Sequence, residues 1–566
     1  MKPFWITFYS YKGGVGRSLA LANTAALLVQ RGRRVALIDF DLEAPGLESF
    51  DEFKCIAGKP GVVEYVTQFK DTNRAPDIDP FIHSCELPGP LRGKLWIMPA
   101  GKKDPLYNAC RANLNWADLY ENHHGEQFVE NWKAAIVRRY QPDYVFLDSR
   151  TGLTDVGGIC TLHLPDLVVM LFGLNEQNVK GVAAVGKTIR ESEITRVPQI
   201  HYVASPVPNM PRDKGGSLDK RWADASTDLG TKIESSLRYQ PFAALSERLF
   251  VLDNQLDDNV LIRNYQDLLG RLIDYNRSGL DFLISQVRAA IADGDAPLMQ
   301  RLSTILQEEF PERPEALMAQ ASLLQATGDS AGATALARRS LDLDPTYDTA
   351  FQWLIKQYRR ENQHAAAFDL CNLVIKATDR LPPALLDFAH RQRGETAMAA
   401  GEYADAAASF AYSLKREKKR DGDPVSVLVH GFNAAEAMRR ISRKPNPEVW
   451  KEVVDLFDKA GETAAAPLIY QANRLQAIHI AFAMTGDLLH ARECLSKAGH
   501  AAELLGPAED IFTVKNFTNV PVKEWLQVNQ EMLAALDRGQ LWDGMPLPPA
   551  KPEKDSNQKE DPKPVA

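Results

Sequence analysis

Cysteine is scarce in this chain of 566 residues, and its six copies, Cys55, Cys85, Cys110, Cys160, Cys371 and Cys494, are scattered. None forms a C-x-x-C pair, which argues against a zinc site and against structural disulfides, and for reduced thiols. No apolar run approaches the roughly 18 residues of a membrane span. The apolar stretch at the N-terminus is too short for a secretory signal and has no cleavage pattern after it, so a cytoplasmic location without membrane attachment is expected. A basic excess is missing too. The 66 Lys and Arg stand against 74 Asp and Glu, a net charge of −8, the wrong sign for a protein that coats nucleic acid. With 45% hydrophobic and 25% charged residues, the composition is that of a globular protein. At this length about two to four domains are expected.

The first half alternates apolar runs with amphipathic segments. Trp5–Tyr9, Arg34–Asp39, Leu95–Pro99, Tyr144–Asp148, Leu167–Phe172 and Ile200–Ala204 read as strands, and Ser18–Gln30, Glu126–Arg139 and Glu176–Arg190 as helices. Continuous apolar strands separated by helices predict an α/β doubly wound, mostly parallel sheet covered on both faces. The polar, glycine-rich stretch Arg212–Lys220 reads as a mobile surface loop.

From about Ser278 the strand signals stop and Ala and Leu dominate. A Gly-Asp/Glu turn recurs, followed four or five residues later by Ala and then by a large or apolar residue. Ala321, Gly328, Ala333 and Pro345 mark one copy; Asn362 and Ala367 mark the next, with Asn362 placed 34 residues after Gly328. Gly394, Gly401, Ala406 and Phe410, and then Gly486, Ala491 and Ala498, mark two more, with a divergent helix pair between them over Pro424–Gly461. The pattern resembles the tetratricopeptide repeat, and paired helices at that period imply an all-α solenoid; an irregular helical bundle is the alternative. Pro546–Ala566, rich in Pro, Lys, Glu and Asp, is expected to be disordered and cannot form an apolar-faced membrane anchor. Domains are therefore expected at 1–275, 276–545 and, as a tail, 546–566.

Tyr11–Ser18 reads YKGGVGRS, between a strand and an amphipathic helix. Gly13, Gly14 and Gly16 let successive backbone N–H groups face a phosphate, and the helix brings its positive N-terminal end to the same anion. Ser18 stands where a hydroxyl can ligate magnesium.

This loop resembles the deviant Walker A loop, K-G-G-x-G-K-[ST], of the MinD/ParA family of P-loop ATPases, of the SIMIBI type. The likeness extends through SLALANTAALLVQRGRRVALIDFD, with its acids Asp39 and Asp41, to YVFLDSRTG, where Asp148 and Gly152 match the Walker B and switch region. It implies ATP and Mg2+ as cofactors. By position, Lys12, Gly13, Gly14, Val15, Gly16, Arg17 and Ser18 would hold phosphates, and Lys12 would reach across a dimer to the partner's nucleotide. Asp41 would orient the attacking water, Asp39 and Asp148 would support magnesium with Ser18, and the backbone of Gly152 would sense the γ-phosphate. Asn209, in ASPVPN, is the candidate for holding adenine. Two residues depart from the family. Arg17 replaces the loop lysine with a rigid fork, which implies slow hydrolysis or binding without turnover. Arg150 replaces the switch proline, either as an internal finger on transition-state charge or in an ion pair with Asp155 or another neighbour.

The combination implies an ATP-dependent molecular switch: nucleotide-controlled homodimerisation, slow hydrolysis of ATP to ADP and phosphate, and a partner protein or peptide on the helical repeats. The branch it resembles occurs fused to repeat or signalling domains in bacteria, with conflict, defence or regulatory roles. A nucleotide-binding scaffold without turnover and a ParA-like DNA-associated ATPase are the alternatives. The basic run Lys415–Arg420 reads as a solvated helix end more readily than a nucleic-acid contact. His123 and His124 read as solvent-facing turn residues, and the Trp and Tyr residues of the repeats as core.

Overall fold

In the computed structural model, which describes residues 2–550 apart from 90, 153–157, 193, 195, 209–215, 254, 255, 257, 258, 378–380, 462–466, 507, 508 and 516, every residue of the first strand, β1 (Phe4–Ser10), is buried. The reason is its central place in an eight-stranded sheet with β2 (Arg34–Asp39), β3 (His83–Cys85), β4 (Lys94–Met98), β5 (Tyr144–Asp148), β6 (Leu167–Phe172), β7 (Gln199–Val207) and β8 (Ser235–Arg238). The spatial order is β3-β4-β2-β5-β1-β6-β7-β8, and all neighbours are parallel except β3 and β4. Strand order reverses on either side of β1, and in such sheets ligands bind at the carboxyl ends of the strands beside that point.

The helices of this half are α1 (Arg17–Gln30), α2 (Val62–Thr72), α3 (Tyr107–Ala112), α4 (Trp116–Asn122), α5 (Gly125–Tyr140), α6 (Glu176–Arg190), α7 (Ser217–Leu229) and α8 (Val260–Tyr275). Ile6 and Phe8 of β1 share a core with α1 and α8, whereas Trp5 packs in the core of α2 and α5, and Tyr9 in that of α6. A strand that feeds helices on both faces has no polar side to show, hence its unbroken apolar reading.

The expected strands and helices are present, with corrections. Ser217–Lys220 is the first turn of α7 and not loop, because Leu218 and Trp222 lie against the core beside α6; residues 212–215 fall outside the described residues. The short strands β3 and β8 gave no sequence signal. Cys55 and Cys85 form a disulfide, against the expectation of reduced thiols. A short helical turn over Asp51–Ile56 and the edge strand β3 bring their Cα atoms to 6.3 Å, a pairing that a separation of 30 residues conceals. The other four cysteines form no disulfide.

The chain divides into two compact units, Met1–Leu336 and Ala337–Ala566. Beyond α8 the first unit includes α9 (Leu280–Asp293), α10 (Ala296–Glu309) and α11 (Pro314–Ala326); α12 (Ser330–Leu343) begins at its end. Ions tie the added helices to the amino-terminal edge of the sheet. The guanidinium of Arg33, 3% exposed, donates from Nε and Nη2 to both oxygens of Asp281 at 2.7 and 2.8 Å. Its Nη1 lies 3.2 Å from Glu315 Oε1, which also accepts from Arg92 at 2.8 Å. Arg313 donates to Asp143 at 2.7 Å. Burial alone would raise the Asp281 carboxyl's pKa, but Arg33 outweighs it and the pKa is lowered.

The second unit is a series of helix hairpins: α13 (Asp348–Arg360) with α14 (His364–Ile375), α15 (Pro383–Ala400) with α16 (Tyr403–Lys419), α17 (Pro424–Ser442) with α18 (Pro447–Ala460), and α19 (Leu468–Met484) with α20 (Leu488–Glu503). Asn362, Gly401 and Gly486 adopt φ of 56°, 84° and 80° in three of the turns. Ala367, Ala406 and Ala491, five residues beyond each turn, are fully buried where only a small side chain lets helices approach. The spacing read from the sequence is thus built into the hairpins. One element departs from all-α: β9 (Asp510–Thr513) and β10 (Thr518–Pro521) form an antiparallel hairpin before α21 (Val522–Asp537). Buried Gln476 accepts from Thr513 Oγ1 and Val514 N, and Trp525 Nε1 donates to the Phe512 carbonyl at 2.8 Å. At the start of the expected tail, Pro546 bridges to Gln540; residues 551–566 fall outside the described residues.

Removing Arg33 should leave two carboxylates buried without their cation. Arg33→Ala is expected to destabilise the first unit by about 3–5 kcal/mol in urea unfolding at neutral pH. Because the pKa of Asp281 is lowered by folding, its contribution is present above the ordinary carboxylate pKa of about 4 and fades as pH falls through the lowered value. The gap between wild type and variant should therefore narrow in acid; a gap independent of pH would remove Asp281 from this role.

Candidate functional site

The loop leaving β1 crosses the carboxyl ends of the strands before α1 begins. Gly14 and Gly16 stand at φ 79° and 76°, where a side chain is strained, and ideal Cβ atoms on Gly13 and Gly14 would have nothing within 4 Å. The backbone of Gly13, Gly14 and Gly16 thus borders open space. Two packing contacts hold the loop from beneath. Ser205 Oγ, near the end of β7, donates to the Val15 carbonyl at 2.7 Å. The ring of Tyr11 lies against Gly181 of α6 so closely that a Cβ there would come within 2.1 Å of it. Neither contact left a signal in the sequence, since each joins segments far apart in the chain.

Register then assembles the acids. Asp39 and Asp148 are paired residues of β2 and β5, side by side at the carboxyl edge. Both are essentially buried. Arg17, the first residue of α1, reaches between them: its Nε donates to Asp148 Oδ1 and its Nη2 to Asp41 Oδ2, both at 2.6 Å. The other oxygen of Asp148 accepts from Ser18 Oγ at 2.6 Å. Asp39 Oδ1 accepts from the Asp41 amide at 3.0 Å. Three carboxylates thus crowd one guanidinium that reaches only two of them, and the titration of Asp39 and Asp148 reflects the shortage. Burial, followed by Asp148 and Asp41, pushes the Asp39 carboxyl well above its ordinary range. Burial also raises Asp148, against the opposing pull of Arg17 and Ser18. For Arg17 burial favours the neutral form, but Asp148 and Asp41 outweigh it and keep the guanidinium charged. Its Nη1 is buried without a hydrogen-bond partner.

Such a donor set, a hydroxyl and carboxylates with excess negative charge, suits a hard cation. Among the described residues no group of three or more His, Cys, Asp or Glu could hold a metal alone. Magnesium binds through one or two carboxylates together with phosphate oxygens and water. Ser18, Asp39 and Asp148 fit that role.

The remaining sequence candidates fall as follows. Lys12 is exposed. Val15 is buried and joins the loop through its carbonyl. Arg150 Nη2 pairs with Glu43 Oε2 at 2.5 Å, and the other Glu43 oxygen pairs with Arg111 at 3.1 Å, so Arg150 engages the segment just after Asp41. Gly152 adopts φ 81°, and its N–H donates to the Ser10 carbonyl at 3.4 Å. Asp155 and Asn209 lie outside the described residues. His123 sits near Asp118 at 3.7 Å. Within the basic run, Arg416 and Arg420 pair with Asp387 and Lys418 pairs with Glu452.

A second candidate lies within the second unit. A groove of about 990 Å3 is lined by apolar residues of α17 and α19, including Leu428, Phe432 and Ile478, and by Phe512 and Phe517 of the β9–β10 segment. Asn473 Oδ1, on its wall, is buried without a partner.

Residues 6–298 match the family described as the CobQ/CobB/MinD/ParA nucleotide binding domain. Among solved structures, a ParA family ATPase from Chlorobium tepidum is 16% identical, over 47% of this chain and 98% of its own, at a TM-score of 0.34. The cell division ATPase MinD of Pyrococcus furiosus is 15% identical over 48% and 98%, at 0.35. MinD of Pyrococcus horikoshii, solved with Mg-ADP, is 13% identical over 48% and 96%, at 0.34. No curated protein matches the chain. Among the described residues no helix is long and apolar enough to cross a membrane.

A carboxyl whose pKa is raised by folding costs stability at neutral pH, and more as pH rises from the unfolded towards the folded value. Asp39→Asn should therefore raise the melting temperature of the ligand-free protein by about 2 °C or more near pH 7. Below pH 4 the advantage should vanish, because Asp39 is then protonated in both states. A lower melting temperature at pH 7 would show that Asp39 is held by its partners rather than strained among like charges.

Proposed function

The chain belongs to the CobQ/CobB/MinD/ParA nucleotide-binding family, and on that footing we propose that it is an ATP-dependent molecular switch: two first units close on each other around ATP, and hydrolysis releases them. The observation that carries this reading is the conjunction, at one sheet edge, of an open glycine loop, the N-terminal end of α1, the Ser18–Asp148 pair and an exposed Lys12. Loop amides and the helix end bind phosphates. Ser18 and Asp148, with Asp39 behind them, would hold magnesium, which neutralises phosphate charge during transfer. Asp41 orients water. Lys12, exposed at the loop, has the freedom to reach a nucleotide held by a second copy. Arg150, beside the segment after Asp41, is placed to act on the phosphate only if it leaves Glu43; Gly152 would contact the γ-phosphate once its N–H leaves the Ser10 carbonyl, and Asn209 would contact adenine.

The helical half, an array of tetratricopeptide-like hairpins expected to form its own domain from about residue 276 to 545, carries the partner. The groove of α17 and α19, largely apolar but with Asp423, Gln471 and His500 also on its wall, supports a bound protein segment, because the unmatched Asn473 oxygen calls for an N–H donor. The switch operates only if ATP binds the closed dimer better than the monomer. A nucleotide-binding scaffold with little turnover is the second reading, favoured by the hold of Arg17 on Asp41.

Titration calorimetry of ATP with magnesium should give binding to wild type and none to Gly16→Val. The valine Cβ would meet nothing closer than Ser205 Oγ at 3.8 Å, but a β-branched residue is strained at φ 76° and the phosphate cradle is lost. Equal affinities would end the nucleotide assignment. Light scattering should show wild type doubling its mass with ATP and not with ADP. Lys12→Ala should bind ATP yet associate about tenfold to a hundredfold more weakly, the usual worth of a charge-assisted contact. One mass for both proteins with either nucleotide would leave only the scaffold.

A further inference from the structure

Arg17 stands where a lysine would deliver one ammonium to one phosphate, and the geometry does something a lysine cannot. A guanidinium is a planar fork with donors on separate edges. Here Nε and Nη2 are committed to two acids from two different strand ends, Asp148 after β5 and Asp41 after β2. Nη1 lies on the edge away from those carboxylates, buried and without an acceptor. Arg17 is only 7% exposed, so no bulk water satisfies that donor. A buried charged donor left unmatched calls for a partner, and Arg17 opens the helix whose N-terminal end faces the loop.

We infer that Arg17 is a three-point clamp, with Nε on Asp148, Nη2 on Asp41 and Nη1 on a phosphate oxygen of the bound nucleotide. This rests on the nucleotide-binding reading above and concerns what the arginine adds to it. The clamp ties the acid that would orient water to the acid that would support magnesium. Asp41 is then a ligand of Arg17 first and a water-positioning group second. The site therefore favours long occupancy over rapid turnover, which sets the lifetime of the ATP state from within the loop. Arg17 acts on the reaction through Asp41 and through phosphate binding; it transfers no proton.

Arg17→Lys keeps the charge but gathers its donors on one nitrogen and loses the fork that spans the partners. With a fluorescent ATP analogue and magnesium, the full-length variant should bind about tenfold to a hundredfold more weakly, mainly through faster release. Its turnover at saturation should rise, and adding Asp41→Ala should abolish that rise, because the gain comes from the freed acid. Asp41→Asn in an otherwise wild-type chain gives a test that needs no change at Arg17. If Asp41 only positions water, nucleotide affinity is unaltered; if it anchors the clamp, affinity falls about three- to tenfold. Unchanged release and unchanged turnover in Arg17→Lys, or unchanged affinity in Asp41→Asn, overturns the clamp. Loss of binding in Gly16→Val under the same conditions keeps the nucleotide assignment standing whichever way the clamp falls.

Discussion

Three carboxylates and one guanidinium occupy the carboxyl ends of neighbouring strands, and the first unit is arranged around that imbalance. Asp39 and Asp148 cannot separate, because the parallel register of β2 and β5 sets them side by side. Neither can reach water. Arg17 relieves Asp148 and Asp41 directly and leaves Asp39 raised in pKa among like charges. A fold selected for stability alone would replace one of these acids. Keeping all three stores a demand for cation, which a magnesium ion bound with a phosphate chain would meet.

A single helix links this site to the other large ion cluster. α1 begins at Arg17 and ends near Gly32 and Arg33, about 21 Å away for its fourteen residues. Its body is almost wholly buried, so it is held as a rigid rod in the core under the sheet. At its far end the turn through Gly32, at φ 80°, delivers Arg33 to Asp281 and Glu315. The helices that follow the sheet are thus fastened to the end of the same element whose beginning faces the glycine loop. Fastening of this kind explains why the first compact unit extends to Leu336.

What could be read from sequence was whatever local pattern encodes. The strands β1, β2, β5 and β6 were legible because doubly covered strands are apolar throughout. The glycine loop was legible because left-handed backbone needs glycine. Helix turns in the second half were legible because Gly401, Gly486 and Asn362 carry the same backbone requirement, followed by a buried alanine. What stayed hidden was set by distant partners. The fork of Arg17, the Ser205 prop under Val15 and the seat of Tyr11 on Gly181 each join segments with no periodic relation. The Cys55–Cys85 pair and the β9–β10 hairpin, whose strands are four residues each and depend on Gln476 and Trp525, were hidden for the same reason. The first turn of α7 was obscured by the polar, glycine-rich segment leading into it.

The most direct test of the central claim, that the loop from Tyr11 to Ser18 is a nucleotide-phosphate site, is a crystal structure of the full chain grown with magnesium and a non-hydrolysable ATP analogue. The expected result is a triphosphate lying over the amides of Gly13, Gly14 and Gly16 at the start of α1, with the magnesium beside Ser18. An analogue bound away from this loop, or a loop left empty at saturating ligand while the crystal holds the nucleotide elsewhere, would contradict it.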